Sequence, residues 1–139
     1  MCKPSYFDVV HKELNIHMTM EFPVNKKKAE LQYSKLVYIL HEQGITIKYI
    51  PEHPGLVDAV FSANAGLFVG PNSFVISNFS APPRIPEITH VDTFFKQIYN
   101  IVYTTNKFEG AGDALYSHND KILWLGYGFR TNKNVQSEI

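Results

Sequence analysis

The sequence predicts an α/β fold on three observations. Apolar residues recur at helical spacing over residues 25–43, and a strand-like alternation follows at once over 45–50. Strand, helix and strand patterns then return between residues 66 and 104. Finally, Asp58-Ala-Val-Phe-Ser62 reappears 55 residues later as Asp113-Ala-Leu-Tyr-Ser117.

Each element has a local reason. In the first helix Ala29, Leu31, Tyr33, Leu36, Val37, Ile39 and Leu40 carry the period, Asn25 is the expected N-cap, and Gly44 lies just past the end. The strand at 45–50 stops before Pro51, which has no amide for a ladder. Residues 58–62, 66–70 and 73–79 read as three short strands or strand halves, interrupted at Asn64 and Pro71. A weaker helical pattern covers 87–100 and a strand 101–104. After the glycine-broken stretch 108–113 come strands at 114–117 and 122–127. Phe68-Val69-Gly70 corresponds to Trp124-Leu125-Gly126 with a one-residue slip.

These copies, beginning near 58 and 113, define a unit of about 55 residues, so residues 1–139 form a single domain of about 2.5 units. Such a unit leaves apolar faces that only neighbours or ring closure bury. The terminal strands therefore either pack back locally or pair with another polypeptide, because an open edge invites aggregation.

Composition narrows the partners. A chain that is 45% hydrophobic and 19% charged folds around a core. Thirteen basic residues balance thirteen acidic ones, so no basic field gathers nucleic acid or an anionic membrane. The apolar-leaning run 121–129 is far short of the roughly 20 residues that span a bilayer. One cysteine, Cys2, gives no internal disulfide, and the opening lacks the apolar stretch of a secretory leader, so the expected setting is cytoplasmic. The triplet Asn78-Phe-Ser80 then has no glycosylation to receive.

Several ligand classes fail on spacing. The histidines at 11, 17, 41, 53, 90 and 118 are scattered, with no short metal-ligand spacing, so no metal is expected. The glycines of 108–113 lack the strand-to-helix context of a dinucleotide loop, and no cofactor is expected. Lys26, Lys27 and Lys28 open a helix against its dipole; a solvated cluster explains them better than a phosphate site.

Four carboxylate or amide groups stand out. Asp58 and Asn64 lie six residues apart at the head and end of the pattern 58–64, and an even spacing keeps both on one face of a regular strand. Glu109 and Asp113 flank glycines that let backbone approach a ligand closely. Acidic groups beside apolar strands suit a cationic ligand. Asp58 equally suits a turn cap, Asn64 an ordinary turn, and the glycines an ordinary loop. Arginine is scarce here: Arg84 and Arg130 stand against eleven lysines. A planar fork that grips a carboxylate through two bonds is one reason to retain them, and surface placement the other.

Residues 51–66 (PEHPGLVDAVFSANAG), 108–115 (FEGAGDAL) and 125–132 (LGYGFRTN) resemble motifs of the guanidino-group-modifying, or pentein, superfamily, which includes dimethylarginine dimethylaminohydrolase, arginine deiminase and amidinotransferases. The opening Met1–Val9 and Asn15 look like its arginine-hydrolysing branch. The resemblance implies a partial pentein: five ββαβ-type units arranged as an α/β propeller around a central site, of which this length supplies about half. It also implies an arginine-like ligand, with Asp58 at its amino end, Asn64 and Glu109 at the guanidinium, Asp113 beside them, and Arg84 and Arg130 at its carboxylate.

The departures are equally specific. The superfamily attacks with a late cysteine assisted by a histidine downstream of the GFRTN-like segment, and neither occurs after Arg130. Binding groups alone do not supply a nucleophile and a proton donor. Asn64 stands where dimethylarginine hydrolases carry Asp, which leans toward arginine hydrolysis, and Ala111 stands where that branch more often has Glu. The expectation is the substrate-binding N-terminal half of a hydrolase acting on C–N bonds of guanidines, inactive alone and completed by a separately encoded C-terminal half. The alternative is a non-catalytic remnant or regulatory module that binds a guanidino ligand or merely self-associates into a homo-oligomer through its open edge. Nucleic acid and membrane are not expected partners.

Overall fold

The structure is a computed structural model that describes all residues except 12–14 and 16. It divides into two compact units, Met1–Phe61 and Ser62–Ile139.

In Met1–Phe61 the main element is α1, Lys26–Glu42. Its first turn is closed by Asn25, whose Oδ1 accepts from the Lys28 amide at 3.0 Å, and Gly44 follows the C-cap with φ +73°. Ala29, Tyr33, Val37 and Leu40 form a half-buried stripe, but Leu31, Leu36 and Ile39 stay exposed and no residue of α1 is fully buried. The strand expected at 45–50 does not form. Its alternation finds one partner, Cys2, in a single parallel bridge to Ile50, and a strand exists only where a neighbour completes its hydrogen bonds. Residues 58–61 are likewise turns, with the amides of Ala59 and Phe61 donating to the carbonyls of Leu56 and Asp58. The two sequence copies thus differ in conformation: the second, Ala114–Ser117, is a strand.

Ser62–Ile139 holds two sheets. In the first, β1 (Gly66–Phe68) pairs antiparallel with β2 (Ser73–Ile76), which pairs parallel with β3 (Asn100–Val102). The crossover from β2 to β3 is α2, Ile85–Phe95, which starts after a 3-10 turn at Pro82–Arg84. The expected helix ran to Asn100, but the Asn100 amide donates to the Asn72 carbonyl at 2.8 Å and starts β3 instead. The second sheet is the antiparallel pair β4 (Ala114–Ser117) and β5 (Ile122–Leu125).

The core lies between these sheets. Leu67 and Val75, paired across β1 and β2, meet Phe108, Ala114 and Val135, with Tyr116, Leu123 and Leu125 packed around them. On the opposite face of the first sheet Phe74 stacks on Phe95 of α2, with centroids 4.3 Å apart and planes at 20°, and Phe68 meets Tyr99 edge-on at 4.9 Å. Such ring pairs add about 0.5–1.5 kcal/mol beyond the area they bury. The structure has a likeness of its own, in a register other than that of the sequence copies: Ser62–Ala65 is a 3-10 turn leading into the antiparallel pair β1 and β2, and Gly110–Gly112 one leading into β4 and β5.

Candidate functional site

The site is built on backbone that the core has already fixed. Asn78 and Phe108 exchange amide-to-carbonyl bonds of 2.9 and 3.0 Å, and the Asn78 side-chain amide donates to the carbonyls of Thr104, Thr105 and Asn106. Phe108 is fully buried, so the next residue, Glu109, enters the interior with its carboxylate and is only 1% exposed. A buried charge needs partners, and Glu109 has two on one oxygen. Its Oε2 accepts from Asn64 Nδ2 at 3.3 Å and lies 3.0 Å from Arg130 Nη1.

Glycines make that approach possible. Gly110 has φ +55°, and a Cβ there would come within 2.6 Å of the Gly66 backbone; one on Gly112 would come within 2.2 Å of Asn64 Nδ2. The 3-10 turn that carries Asn64 is held by Ser77, whose hydroxyl donates to the Asn64 carbonyl at 2.5 Å. On the other side, Ser80 donates to the Arg130 carbonyl at 2.7 Å, and the buried Thr131 hydroxyl accepts from the Glu109 amide at 3.1 Å while donating to Asp113 Oδ2 at 2.5 Å. Asp113 Oδ1 stands 3.9 Å from Arg130 Nη2. Burial pushes the Glu109 carboxyl up from its ordinary value; Arg130 and Arg84 oppose that rise, and Asp113 and Glu87 reinforce it.

Four of the residues singled out from the sequence, Asn64, Glu109, Asp113 and Arg130, therefore form one cluster. Arg84 is buried and its fork faces Glu87, with Nε to Oε1 at 2.9 Å and Nη2 to Oε2 at 2.8 Å, its Cζ lying 4.2 Å from the Phe79 ring centroid. Asp58 belongs to the Met1–Phe61 unit, where it is buried and its Oδ2 lies 3.0 Å from His11 Nε2. Thr131 and Glu87 had escaped the sequence reading. Glu87 was legible in principle, since a carboxylate three residues after Arg84 on a Pro-started helix lies within reach of it.

Chemically, the cluster holds a planar cation against a buried carboxylate and contains no thiol or imidazole. Among the described residues no three His, Cys, Asp or Glu side chains are grouped to hold a metal ion. A hollow of about 410 Å³ beside Asp113 is lined by Ala111, Gly112, Leu115 and Trp124. A second, of about 720 Å³, lies in the Met1–Phe61 unit among Lys3, Tyr33, Tyr38, His41 and Tyr49.

Fold and site together define a small α/β domain of the pentein type. Residues 7–139 match the family described as eukaryotic N,N dimethylarginine dimethylhydrolase. The chain belongs to this dimethylarginine dimethylaminohydrolase and arginine dihydrolase family. It is 37% identical over 139 aligned positions to the bifunctional arginine dihydrolase/ornithine cyclodeaminase AgrE of Nostoc sp., covering 94% of this chain and 19% of that protein. It is 31% identical to the N(G),N(G)-dimethylarginine dimethylaminohydrolase of Mycobacterium tuberculosis, over 100% of this chain and 45% of that one. The crystal structure of the N-terminal domain of ArgZ, a cyanobacterial arginine dihydrolase bound to substrate, superimposes with a TM-score of 0.84 at 29% identity, covering 99% of this chain and 51% of that domain. The chain thus spans about half the length of that domain and of the mycobacterial relative, and a fifth of the Nostoc protein. No helix among the described residues is long and apolar enough to cross a membrane.

Proposed function

We propose that this chain is the N-terminal, substrate-binding half of a cytoplasmic hydrolase that cleaves a C–N bond of arginine or a methylated arginine, and that the other half of the fold brings the nucleophile and the proton donor. The observation that carries this reading is the Glu109 carboxylate: it is buried, shares one oxygen between Asn64 and a guanidinium, and so is already a guanidinium receptor in chemistry. Asp113 and Thr131 hold its surroundings. The names of the relatives supply the substrate class, an arginine or dimethylarginine.

The covalent step needs more than this cluster. Cys2, the one cysteine in these residues, is in the Met1–Phe61 unit, bridged through its backbone to Ile50. In this reading the attacking cysteine and its histidine come from the other half, and the binding half turns nothing over by itself.

A non-catalytic module is the second reading, and one observation favours it: the forks of both Arg84 and Arg130 face carboxylates of the chain itself rather than open space. Calorimetry with L-arginine, on the native chain and on Glu109→Ala, tests ligand binding; heats that do not depend on Glu109 remove the receptor. Mixing the chain with the half of the Synechocystis ArgZ domain that it does not match, then assaying citrulline and ornithine, tests turnover. A silent, well-folded mixture favours the module.

A further inference from the structure

The carboxylate cluster is out of electrical balance. Glu109 and Asp113 are both acids, and among the described residues Arg130 is the one cation within ion-pair distance of either. Arg84 is already matched by Glu87. One guanidinium thus serves two carboxylates, and it serves them unequally: Nη1 is 3.0 Å from Glu109 Oε2, while Nη2 is 3.9 Å from Asp113 Oδ1. The first distance is that of a hydrogen bond; the second stops about an ångström short of one.

Asp113 is nevertheless set up to receive that group. Its backbone is pinned, the amide donating to the Gly110 carbonyl at 3.2 Å and the carbonyl accepting from the Gly126 amide at 2.8 Å. Its Oδ2 accepts the Thr131 hydroxyl at 2.5 Å. Thr131 has a single hydroxyl proton, and since its oxygen accepts from the Glu109 amide at 3.1 Å, that proton goes to Asp113. The carboxylate is therefore held in one orientation, with Oδ1 on the Arg130 side. Arg130 itself has a fixed stem and a hydrated end. Ser80 donates to its carbonyl at 2.7 Å, and the next two residues are tied by bonds of 2.8 Å, Thr131 O to the Gly128 amide and the Asn132 amide to Lys107 O, whereas the Arg130 side chain is a third exposed.

We propose that Asp113 and Thr131 are positioning residues: when a cation enters the cluster and takes the Glu109 carboxylate, Arg130 passes to Asp113 Oδ1, which Thr131 holds in place for it, and neither Asp113 nor Thr131 touches the ligand. The transfer needs only rotation of one side chain. It ends with two cations on two carboxylates, the balance that the cluster otherwise lacks. It deepens the reading of Glu109 as a guanidinium receptor and rests on that reading for the identity of the incoming cation. Asp113 as a direct ligand contact fits less well, because one of its oxygens is taken by Thr131 and the other faces Arg130.

The chain has two arginines, so labelling arginine alone with nitrogen-15 gives two guanidinium signals, and Arg130→Ala tells them apart. A guanidinium bonded to a carboxylate turns slowly about its Cζ–N bonds and a free one turns fast, so the line shape shows whether Arg130 is held. In the absence of ligand, Glu109→Gln removes the charge of the first partner. Arg130 should stay held there, and should rotate roughly tenfold faster once Asp113→Asn or Thr131→Val is added, the effect of losing one charge-assisted hydrogen bond. Thr131→Ser in place of Thr131→Val should keep the slow rotation; a packing role for Thr131 would favour valine and leave Arg130 unaffected. Free rotation of Arg130 in folded Glu109→Gln overturns the proposal. So does slow rotation that survives Asp113→Asn, with or without L-arginine, which would give Arg130 another holder. When unlabelled L-arginine is added to the native chain, the Arg130 signal should move to the position it takes in Glu109→Gln, and Asp113→Asn should weaken L-arginine binding roughly threefold. Should Glu109→Gln not fold, the native chain and Asp113→Asn with L-arginine decide by the same line shapes. Retention of Arg130 in Glu109→Gln without any response to L-arginine would sink the functional reading and leave Asp113 and Thr131 as the second anchor of Arg130.

Discussion

Arg130 Nη1 lies 3.0 Å from the same Glu109 oxygen that accepts from Asn64. The chain's own guanidinium thus sits where the family resemblance puts the guanidinium of a substrate. Either Arg130 gives way to a ligand or the ligand adds beside it, and Arg130, a third exposed, keeps enough contact with water to swing out. Arg130→Ala leaves Glu109 buried with Asn64 alone, which should cost about 1–2 kcal/mol, below the usual range for breaking a buried pair because the arginine side is partly hydrated. Free guanidinium, at concentrations too low to denature, should restore part of that loss in Arg130→Ala and do nothing to the native chain. Equal responses of the two proteins in thermal melts would refute the picture of Glu109 as a guanidinium receptor.

Two carboxylates should bend the acid stability curve in opposite directions. Burial raises Glu109 above its ordinary 4.5, so its contribution to stability is fully present below that value and is lost as pH rises through the raised folded value. Glu138 is lowered, chiefly by donation from the Asn106 side chain and the Thr105 hydroxyl, so its contribution is present above 4.5 and is lost as pH falls. Native stability relative to Glu109→Gln should therefore decline on going from pH 4 upward, whereas relative to Glu138→Gln it should decline going down. Urea titrations across pH 3–8 separate the two slopes; parallel curves would mean that Glu109 is solvated.

The glycines around Glu109 should rank by what their Cβ atoms would strike. At Gly110 the obstacle is Gly66 backbone, 2.6–2.7 Å away, and φ is +55°; at Gly112 it is the end of the Asn64 side chain. Backbone cannot step aside, while a side chain can. Gly110→Ala should cost about 2–4 kcal/mol. Gly112→Ala should cost less than half of that yet push Asn64 off Glu109, so it should damage ligand binding more than stability. Chemical denaturation and arginine calorimetry on both variants check the ranking, and a Gly110→Ala protein as stable as Gly112→Ala would contradict it.

What the sequence disclosed follows from how local each cause is. The cap at Asn25 and the stop at Gly44 are decided within one turn of chain, and α1 lies where they put it. The strand expected at 45–50 needs a partner, and alternation says nothing about whether one is present. Asp58-Ala-Val-Phe-Ser and its copy at Asp113 share a pattern, but only Ala114–Ser117 has a β5 to pair with. Among the site residues, Glu109, Asn64 and Asp113 were marked by glycines and small residues. Thr131 was invisible because a threonine in a turn is ordinary until its hydroxyl is seen to join Asp113 to the Glu109 amide.

Arg84 tests how far a scarce residue type signals a ligand. Its fork is filled bidentately by Glu87, both side chains are buried, and Phe79 lies against the guanidinium. Such a pair repays its desolvation only while both members are present. Glu87→Ala should cost about 3 kcal/mol or more, and Arg84→Met with Glu87→Leu together about 0–1 kcal/mol, because the double change removes both charges and keeps the volume. The Arg84 charge also opposes the rise of the Glu109 carboxyl and the Glu87 charge promotes it, so the double variant leaves the acid slope of Glu109 nearly unchanged. If instead the double variant is as unstable as Glu87→Ala, the pair is doing more than neutralising itself. Loss of L-arginine binding in a double variant of native stability would return Arg84 to the ligand's carboxylate, the place the resemblance assigns it.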